Sequence, residues 1–276
     1  MRLIIAGLAL AAIPAAAFAQ DATPSDGPGF EGVYVGGSVG ISVQDNDRGE
    51  RVLFDRGFNG SLDTITTAAG ANAFSPGFCN GAATSSANVA CTNDRDDVEY
   101  AARVGWDTQD GPVVIGIVGE FGKSQVRDSV SAFSTTPANY VFNRELQYYG
   151  TIRARAGYTP NNSTLFYSAF GPAYAKIRNS FTSSNTANQF SDNGKTESWG
   201  YTAGGGVEQK LGNNFSIGLE YMYNNYQDDD YRVRVTQGTA PASNPFILNG
   251  SPGTEMRRSA QNFDFHSIRA TAAFRF

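Results

Sequence analysis

The chain has 276 residues, among them 31 glycines and 12% aromatic side chains, a composition rich in strand and turn formers. A formal net charge of −5 with no basic run argues against nucleic acid as a partner, and a single histidine, His266, excludes a His-rich zinc site. After the first 19 residues no segment approaches the 18 continuous apolar residues of a membrane helix, so any membrane crossing must be made by strands.

Residues 1–19 have the layout of a secretory signal: Arg2, an apolar run over 3–13, and Ala17-Phe18-Ala19 as a small-x-small cleavage site. The expected division is then a short N-terminal segment, periplasmic, over 20–29 and one domain over 30–276. Eight alternating segments follow in that domain. The first, 30–43, sets Val33, Val35, Val39, Ile41 and Val43 against Tyr34, Gly36, Ser38, Gly40 and Ser42. The second, 97–107, sets Val98, Tyr100, Ala102, Val104 and Trp106 against Asp97, Glu99, Arg103 and Asp107. In 113–124, Val113, Ile115, Ile117 and Phe121 oppose Glu120 and Ser124. In 145–158, Leu146, Tyr148, Ile152, Ala154, Ala156 and Tyr158 oppose Glu145, Gln147, Thr151, Arg153 and Arg155. The fifth, 164–177, places Leu165, Tyr167, Ala169, Ala173, Ala175 and Ile177 on the apolar face and Ser168, Tyr174 and Lys176 on the other. Pro172, which lacks the N–H a ladder uses, predicts a bulge or local break there.

The sixth segment, "ESWGYTAGGGVEQKL" (197–211), holds three consecutive glycines and a lysine. Leu211 and Gly212 follow Lys210, so the spacing of a phosphate loop fails. Period two places Trp199, Tyr201, Ala203, Gly205, Val207 and Gln209 on one face, which makes this a strand whose opposite face is crowded. Segments 215–225 and 266–276 complete the set, with Phe215, Ile217, Leu219, Tyr221 and Tyr223, then Ile268, Ala270, Ala272, Phe274 and Phe276, on their apolar faces. The connections "TQDGP", "TPNNS" and "LGNN" are tight turns, whereas the intervening ones are long and polar, the longest over 44–96 and 226–265. Tyr231, Val233 and Val235, alternating with Arg232 and Arg234, allow a hairpin extending the last two strands.

Short turns at one end, long loops at the other and an even strand number describe an all-β fold: an eight-stranded antiparallel up-and-down transmembrane β-barrel with long extracellular loops. The apolar face carries no charge, and its aromatics fall in two bands. Trp106, Tyr158, Phe215 and Phe274 lie near the short turns; Tyr100, Tyr148, Trp199 and Tyr223 lie near the long loops. Such girdles mark a lipid-facing surface rather than the inside of a soluble barrel. The polar face is then a narrow lumen, in which Gly36, Gly40, Gly116, Gly122, Gly204 and Gly206 make room for large side chains.

"FEGVYVGGSVG", "GTIRARAGYTPNNSTLFYSAFGPAYA", "GYTAGGGVEQKL", "FSIGLEYMY" and the terminal "HSIRATAAFRF" resemble, in this order, the porin-like small outer-membrane β-barrel family of alphaproteobacteria, within the OmpA/OmpX-like and opacity-protein-like barrel group. The resemblance covers every segment from Phe30 to Phe276 and leaves the long loops unmatched. It implies an abundant envelope protein of a Gram-negative outer membrane, with no catalytic residues and no cofactor to carry over. Phe274 and Phe276 resemble the terminal signal read by the barrel-assembly machinery.

The polar face gathers Arg103, Lys123, Arg153, Arg155, Lys176, Arg269 and Arg275 against Asp97, Glu99, Asp107, Glu120, Glu145, Glu197, Glu208 and Glu220. Signs nearly cancel, unlike the single-sign rings of a selective pore. Arg103, Glu120, Arg153, Glu220 and Arg269 are the expected mid-lumen network, a plug of paired charges. Cys79 and Cys91 are the expected extracellular disulfide of an exported chain. His266 has no serine or aspartate tied to it by spacing, and no enzyme is expected. The acidic stretches "QDNDRGE", "TNDRDD" and "QDDDY" lack a calcium-loop pattern and read as solvated loop charge, so no metal is expected. The expected role is structural or surface-interacting, contributing to envelope integrity, with a narrow channel for small solutes as the alternative. Membrane lipid and lipopolysaccharide are the expected partners, with the assembly machinery during biogenesis. No host or phage ligand can be named.

Overall fold

The computed structural model describes residues 29–44, 49–74, 92–136 and 138–276, together with the backbone of 78–79. The secretory signal, most of the N-terminal segment and the side chains of Cys79 and Cys91 lie outside the described residues.

Eight long strands form the barrel: β1 (Gly32–Val43), β4 (Asp97–Asp110), β5 (Val113–Lys123), β7 (Ala138–Tyr158), β8 (Thr164–Ser183), β10 (Glu197–Lys210), β11 (Phe215–Gln227) and β14 (Asn262–Arg275). Each pairs antiparallel with its neighbours, the last with the first through β1 and β14, and pairing of β7 with β8 closes the cylinder. Closure leaves no unpaired edge within the membrane, the condition for strands to cross hydrocarbon. No helix among the described residues is long and apolar enough to do so.

The outer wall exposes the expected valines, isoleucines and aromatics, from Val33 and Val35 to Ile268 and Phe274. All four lower girdle residues, Trp106, Tyr158, Phe215 and Phe274, are exposed, as are Tyr100 and Trp199 above; Tyr148 and Tyr223 are half-buried. Terminal Phe276 is exposed, with its ring against Phe274.

Strand β8 is inverted relative to its sequence pattern. Leu165, Tyr167, Ala169, Ala173, Ala175 and Ile177 are buried in the lumen, while Phe166, Phe170, Pro172 and Lys176 face out. The interior face of this strand packs against large neighbours and takes alanine, so its small apolar residues imitate a lipid face. In β7 the register shifts between Leu146 and Tyr148, a bulge at Gln147 that turns Leu146 inward against expectation. At Pro172 there is a local break without a shift: Thr151 pairs Ala173 and Ala154 pairs Phe170, with no pairing to β7 between them.

The long loops fold on themselves. Strands β2 (Val52–Arg56), β9 (Gln189–Asp192), β12 (Val233–Thr236) and β13 (Thr254–Arg258), drawn from three different loops, make a second sheet in the order β2-β13-β12-β9. Val233–Thr236 therefore belongs to this separate sheet and does not extend a barrel hairpin. Beside it, β6 (Arg127–Ser134) pairs with the upper half of β7, and β3 (Phe78–Cys79) pairs with β6. Val52, Phe54, Val233, Val235 and Met256 alternate inward and pack with Phe74, Tyr140 and Phe246 into a buried core, with Phe54 and Phe74 centroids 4.6 Å apart. The loops are a cap with an apolar interior.

Candidate functional site

Cross-strand register builds the lumen network. Because β4 and β5 turn at Gly111 and Pro112, Arg103 falls directly opposite Glu120; β11 and β14 likewise oppose Glu220 to Arg269. Arg103 reaches 2.7 Å from Glu120 and, across the lumen, 3.1 Å from Glu220. Arg153 lies 3.0 Å from Glu120, and Arg269 lies 2.7 Å from Glu120, 2.5 Å from Glu220 and 3.3 Å from Glu99. Ser42 and Ser267 donate to Glu99 at 2.6 and 2.7 Å, and the Tyr167 hydroxyl donates to Glu220 at 2.7 Å. All five expected network residues meet in one cluster, and each is buried. Three arginines thus face three glutamates, and the hydroxyls of Ser42, Ser267 and Tyr167 add donors to the carboxylates, while Arg103 Nε and Arg153 Nε stay buried without a protein hydrogen-bond partner.

A second tier lies below it. Arg155 bridges Asp107 at 3.0 Å and Glu208 at 2.8 Å, while Arg275 lies 2.8 Å from Asp107. The Tyr34 ring sits between these cations, its centroid 5.5 Å from the Arg155 guanidinium and 4.6 Å from that of Arg275. Apolar layers flank the two ionic tiers. At the base lies Phe30, in an apolar cluster with Val114 and Leu165 that continues upward through Tyr167 and Ala169 beside the ionic tiers. Above, Leu146, Ala173, Ala175, Ile177, Tyr226, Phe263 and Phe265 fill the upper lumen. Glycines leave the space: a Cβ on Gly122 would lie 2.5 Å from the Tyr149 ring, and one on Gly206 would lie 2.9 Å from the Tyr167 hydroxyl.

A third ionic cluster joins barrel to cap. Arg258 reaches Glu50 at 2.6 Å and also contacts Asp128, which lies 2.6 Å from Arg144. Burial opposes ionisation of Asp128, but Arg144 and Arg258 outweigh it and hold its carboxyl below the ordinary range. Asp94 accepts from the Ser129 amide at 2.7 Å; burial first, then the like charge of Asp128, pushes its pKa up to about 7. The acidic loop stretches are therefore partly structural rather than merely solvated: Glu50 and Asp94 belong to this junction, Asp228 accepts from Asn179 at 3.0 Å, and Asp96 accepts from the Gln44 amide. No cluster able to hold a metal occurs among the described residues.

Several assignments to the lumen are corrected. Lys123, Lys176 and Glu197 point outward, Lys123 because it shares parity with Phe121 and Lys176 because β8 is inverted. Glu145 and Asp97 sit at the upper rim, paired with Arg127 at 2.8 Å and Arg95 at 3.4 Å. Tyr149 and Tyr167 complete the central network; period two puts Tyr149 on the polar face with Thr151 and Arg153, whereas Tyr167 falls on the face read as apolar. For Tyr167 the signal was present in Phe166 and Phe170, two large aromatics too bulky for a full lumen. His266 also points outward, with Nδ1 2.7 Å from the Tyr221 hydroxyl and its ring stacked on Tyr221.

A closed antiparallel cylinder with an apolar exterior banded by aromatics and a paired-charge interior defines an outer-membrane β-barrel protein. The chain belongs to the outer membrane protein beta-barrel domain family, whose model matches residues 5–276. It is 30% identical over 118 residues to a 31 kDa outer-membrane immunogenic protein of Brucella melitensis, covering 43% of this chain and 48% of that one. It is 33% identical over 141 residues to a 22 kDa outer membrane protein of Rhizobium leguminosarum, covering 50% and 58%. The chain thus matches about half the length of these relatives. Among solved structures it resembles the outer membrane protein OprG of Pseudomonas aeruginosa, with a TM-score of 0.50 and 10% identity over 91% of this chain and 99% of that one, a likeness of fold. The protein resides in the outer membrane of a Gram-negative bacterium.

Proposed function

We propose that this protein is a non-conducting, non-enzymatic barrel that contributes to envelope integrity and presents a folded cap to the outside. The observation that carries this reading is the order of layers along the lumen: Phe30 and its apolar neighbours, a neutral ionic tier, a second neutral tier, and then the apolar layer around Phe263 and Phe265. Ions passing through would have to break matched pairs in both tiers and cross two layers that offer little to replace their hydration. His266 supports the non-enzymatic part, since its ring is engaged with tyrosines on the membrane side of the wall.

Single-channel recording of the refolded protein in planar bilayers tests this. The expected result is no steady current above that of protein-free membrane; regular, uniform conductance steps would replace the structural reading with that of a narrow channel.

A further inference from the structure

On the outer wall, where β4, β5, β7 and β8 adjoin, a furrow runs down from the rim. Its upper part encloses about 770 Å³ and its lower part about 620 Å³, and Ala102 and Phe121 line both. Gly119 and Gly150 form the floor. Unlike the lumen glycines, nothing in the protein requires them: a Cβ on Gly119 would find no atom nearer than 3.8 Å and one on Gly150 none nearer than 3.9 Å. Glycine is also a poor choice for a lipid-facing strand interior, where a branched side chain would bury more surface and lose less entropy. Pro172, where pairing to β7 lapses, borders the same floor.

The mouth of the furrow carries Lys123, Lys176 and Arg178, all exposed and on the outward face. Lys176 pairs in the ladder with Tyr148 and Lys123 with Tyr100, which sets these cations at the height of the upper aromatic girdle, the level of outer-leaflet headgroups. Lys123 and Lys176 stand on strands two spacings apart, about 10 Å. The carboxylates that face them are few. Glu197 lies opposite Lys176, and Glu145 is 3.9 Å from Arg178 but 2.8 Å from Arg127. Among the described residues neither lysine has a carboxylate within ion-pairing distance. From Lys176 to Pro172 the strand descends about 13 Å, close to the ~15 Å of one leaflet's hydrocarbon.

We propose that the furrow binds one phosphorylated glycolipid of the outer leaflet, a lipid A, with a phosphate among Lys123, Lys176 and Arg178 and one acyl chain along Gly119 and Gly150. Excess positive charge at headgroup height selects the phosphate, and the glycine floor below it accepts the chain. Neither feature has a use in the closed lumen.

Native mass spectrometry of the refolded full chain in detergent, titrated with bis-phosphorylated lipid A, tests this. One lipid should be retained, and K123Q/K176Q/R178Q should weaken retention at least tenfold. Gly150→Leu, which fills the floor without changing charge, should weaken it several-fold, while Arg234→Gln on the cap should leave it unchanged. Folding of each variant is checked by heat-modifiable electrophoretic mobility. Dephosphorylated lipid A should bind poorly, phosphatidylglycerol should compete poorly, and millimolar inorganic phosphate should not displace the glycolipid. Retention unaffected by the triple substitution and by Gly150→Leu would overturn the site. Equal binding of the dephosphorylated lipid or of phosphatidylglycerol would overturn the assigned ligand.

Discussion

Barrel wall and cap are built from the same period-two alternation, and they use it in opposite senses. In the wall Val39, Ile41, Val104 and Ile117 point out to hydrocarbon while Arg103, Glu120 and Arg269 point in. In the cap, Val52, Phe54, Val233 and Met256 point in, while Arg234, Glu255 and Arg257 point out to water. The surrounding solvent alone decides which face is buried, so alternation marks a strand without fixing its inside. Arg258 and Asp128, at the seam between the two regions, are charged and buried because they belong to both.

That contrast can be broken region by region. The largest effect is expected in the lumen. Glu120→Ala strips one carboxylate from three arginines and should cost about 3–5 kcal/mol, the range for an orphaned buried charge, read as a lowered midpoint in urea refolding into lipid vesicles. A cost near zero would mean that water fills the network. In the cap, Met256→Ala opens a cavity in a fully buried site and should cost about 2–5 kcal/mol of cap stability alone. Protease should then cut the loops while the barrel keeps its heat-modifiable mobility; simultaneous loss of both would show that the two regions fold as one unit.

On the wall, Ala270 faces out between Val39 and Leu219, so Ala270→Arg should cost about 2–4 kcal/mol near the midplane. The same arginine at exposed Ser191 of the cap should cost almost nothing. The smallest effect concerns pH. The carboxyl of Asp94 is raised from 3.8 to about 7 in the folded protein, so its contribution to cap stability is full below about pH 4 and is lost as pH rises through 7. Asp94→Asn, which keeps an acceptor for the Ser129 amide, should flatten this dependence and stabilise the cap at neutral pH. An unchanged slope of loop protection between pH 4 and 7 would contradict the assignment.

Strand number, turn placement and the girdles were legible because hydrocarbon imposes them on every span: a charge on the outer face is costly at any position, and the tight turns mark each hairpin. The central network was legible for the same reason, since Arg103 and Glu120 flank a turn that fixes their register. Strand β8 was not, because an interior already crowded by Arg155 and Tyr149 takes alanine, and Ala173 and Ala175 then look like membrane residues. The bulge at Gln147 left no local signal and reversed Leu146. The cap escaped because its sheet joins segments from three loops, and pairing across such distances leaves no periodic trace in any one of them.

The proposed non-conducting barrel is closed at two levels of the lumen, and ionic current can be blocked by charge alone, so water is the more direct probe. If Phe30 at the base and Phe263 and Phe265 above close the lumen as proposed, stopped-flow light scattering of proteoliposomes under an osmotic gradient should give a water permeability equal to that of protein-free vesicles. A permeability that rises in proportion to the amount of refolded barrel would contradict it.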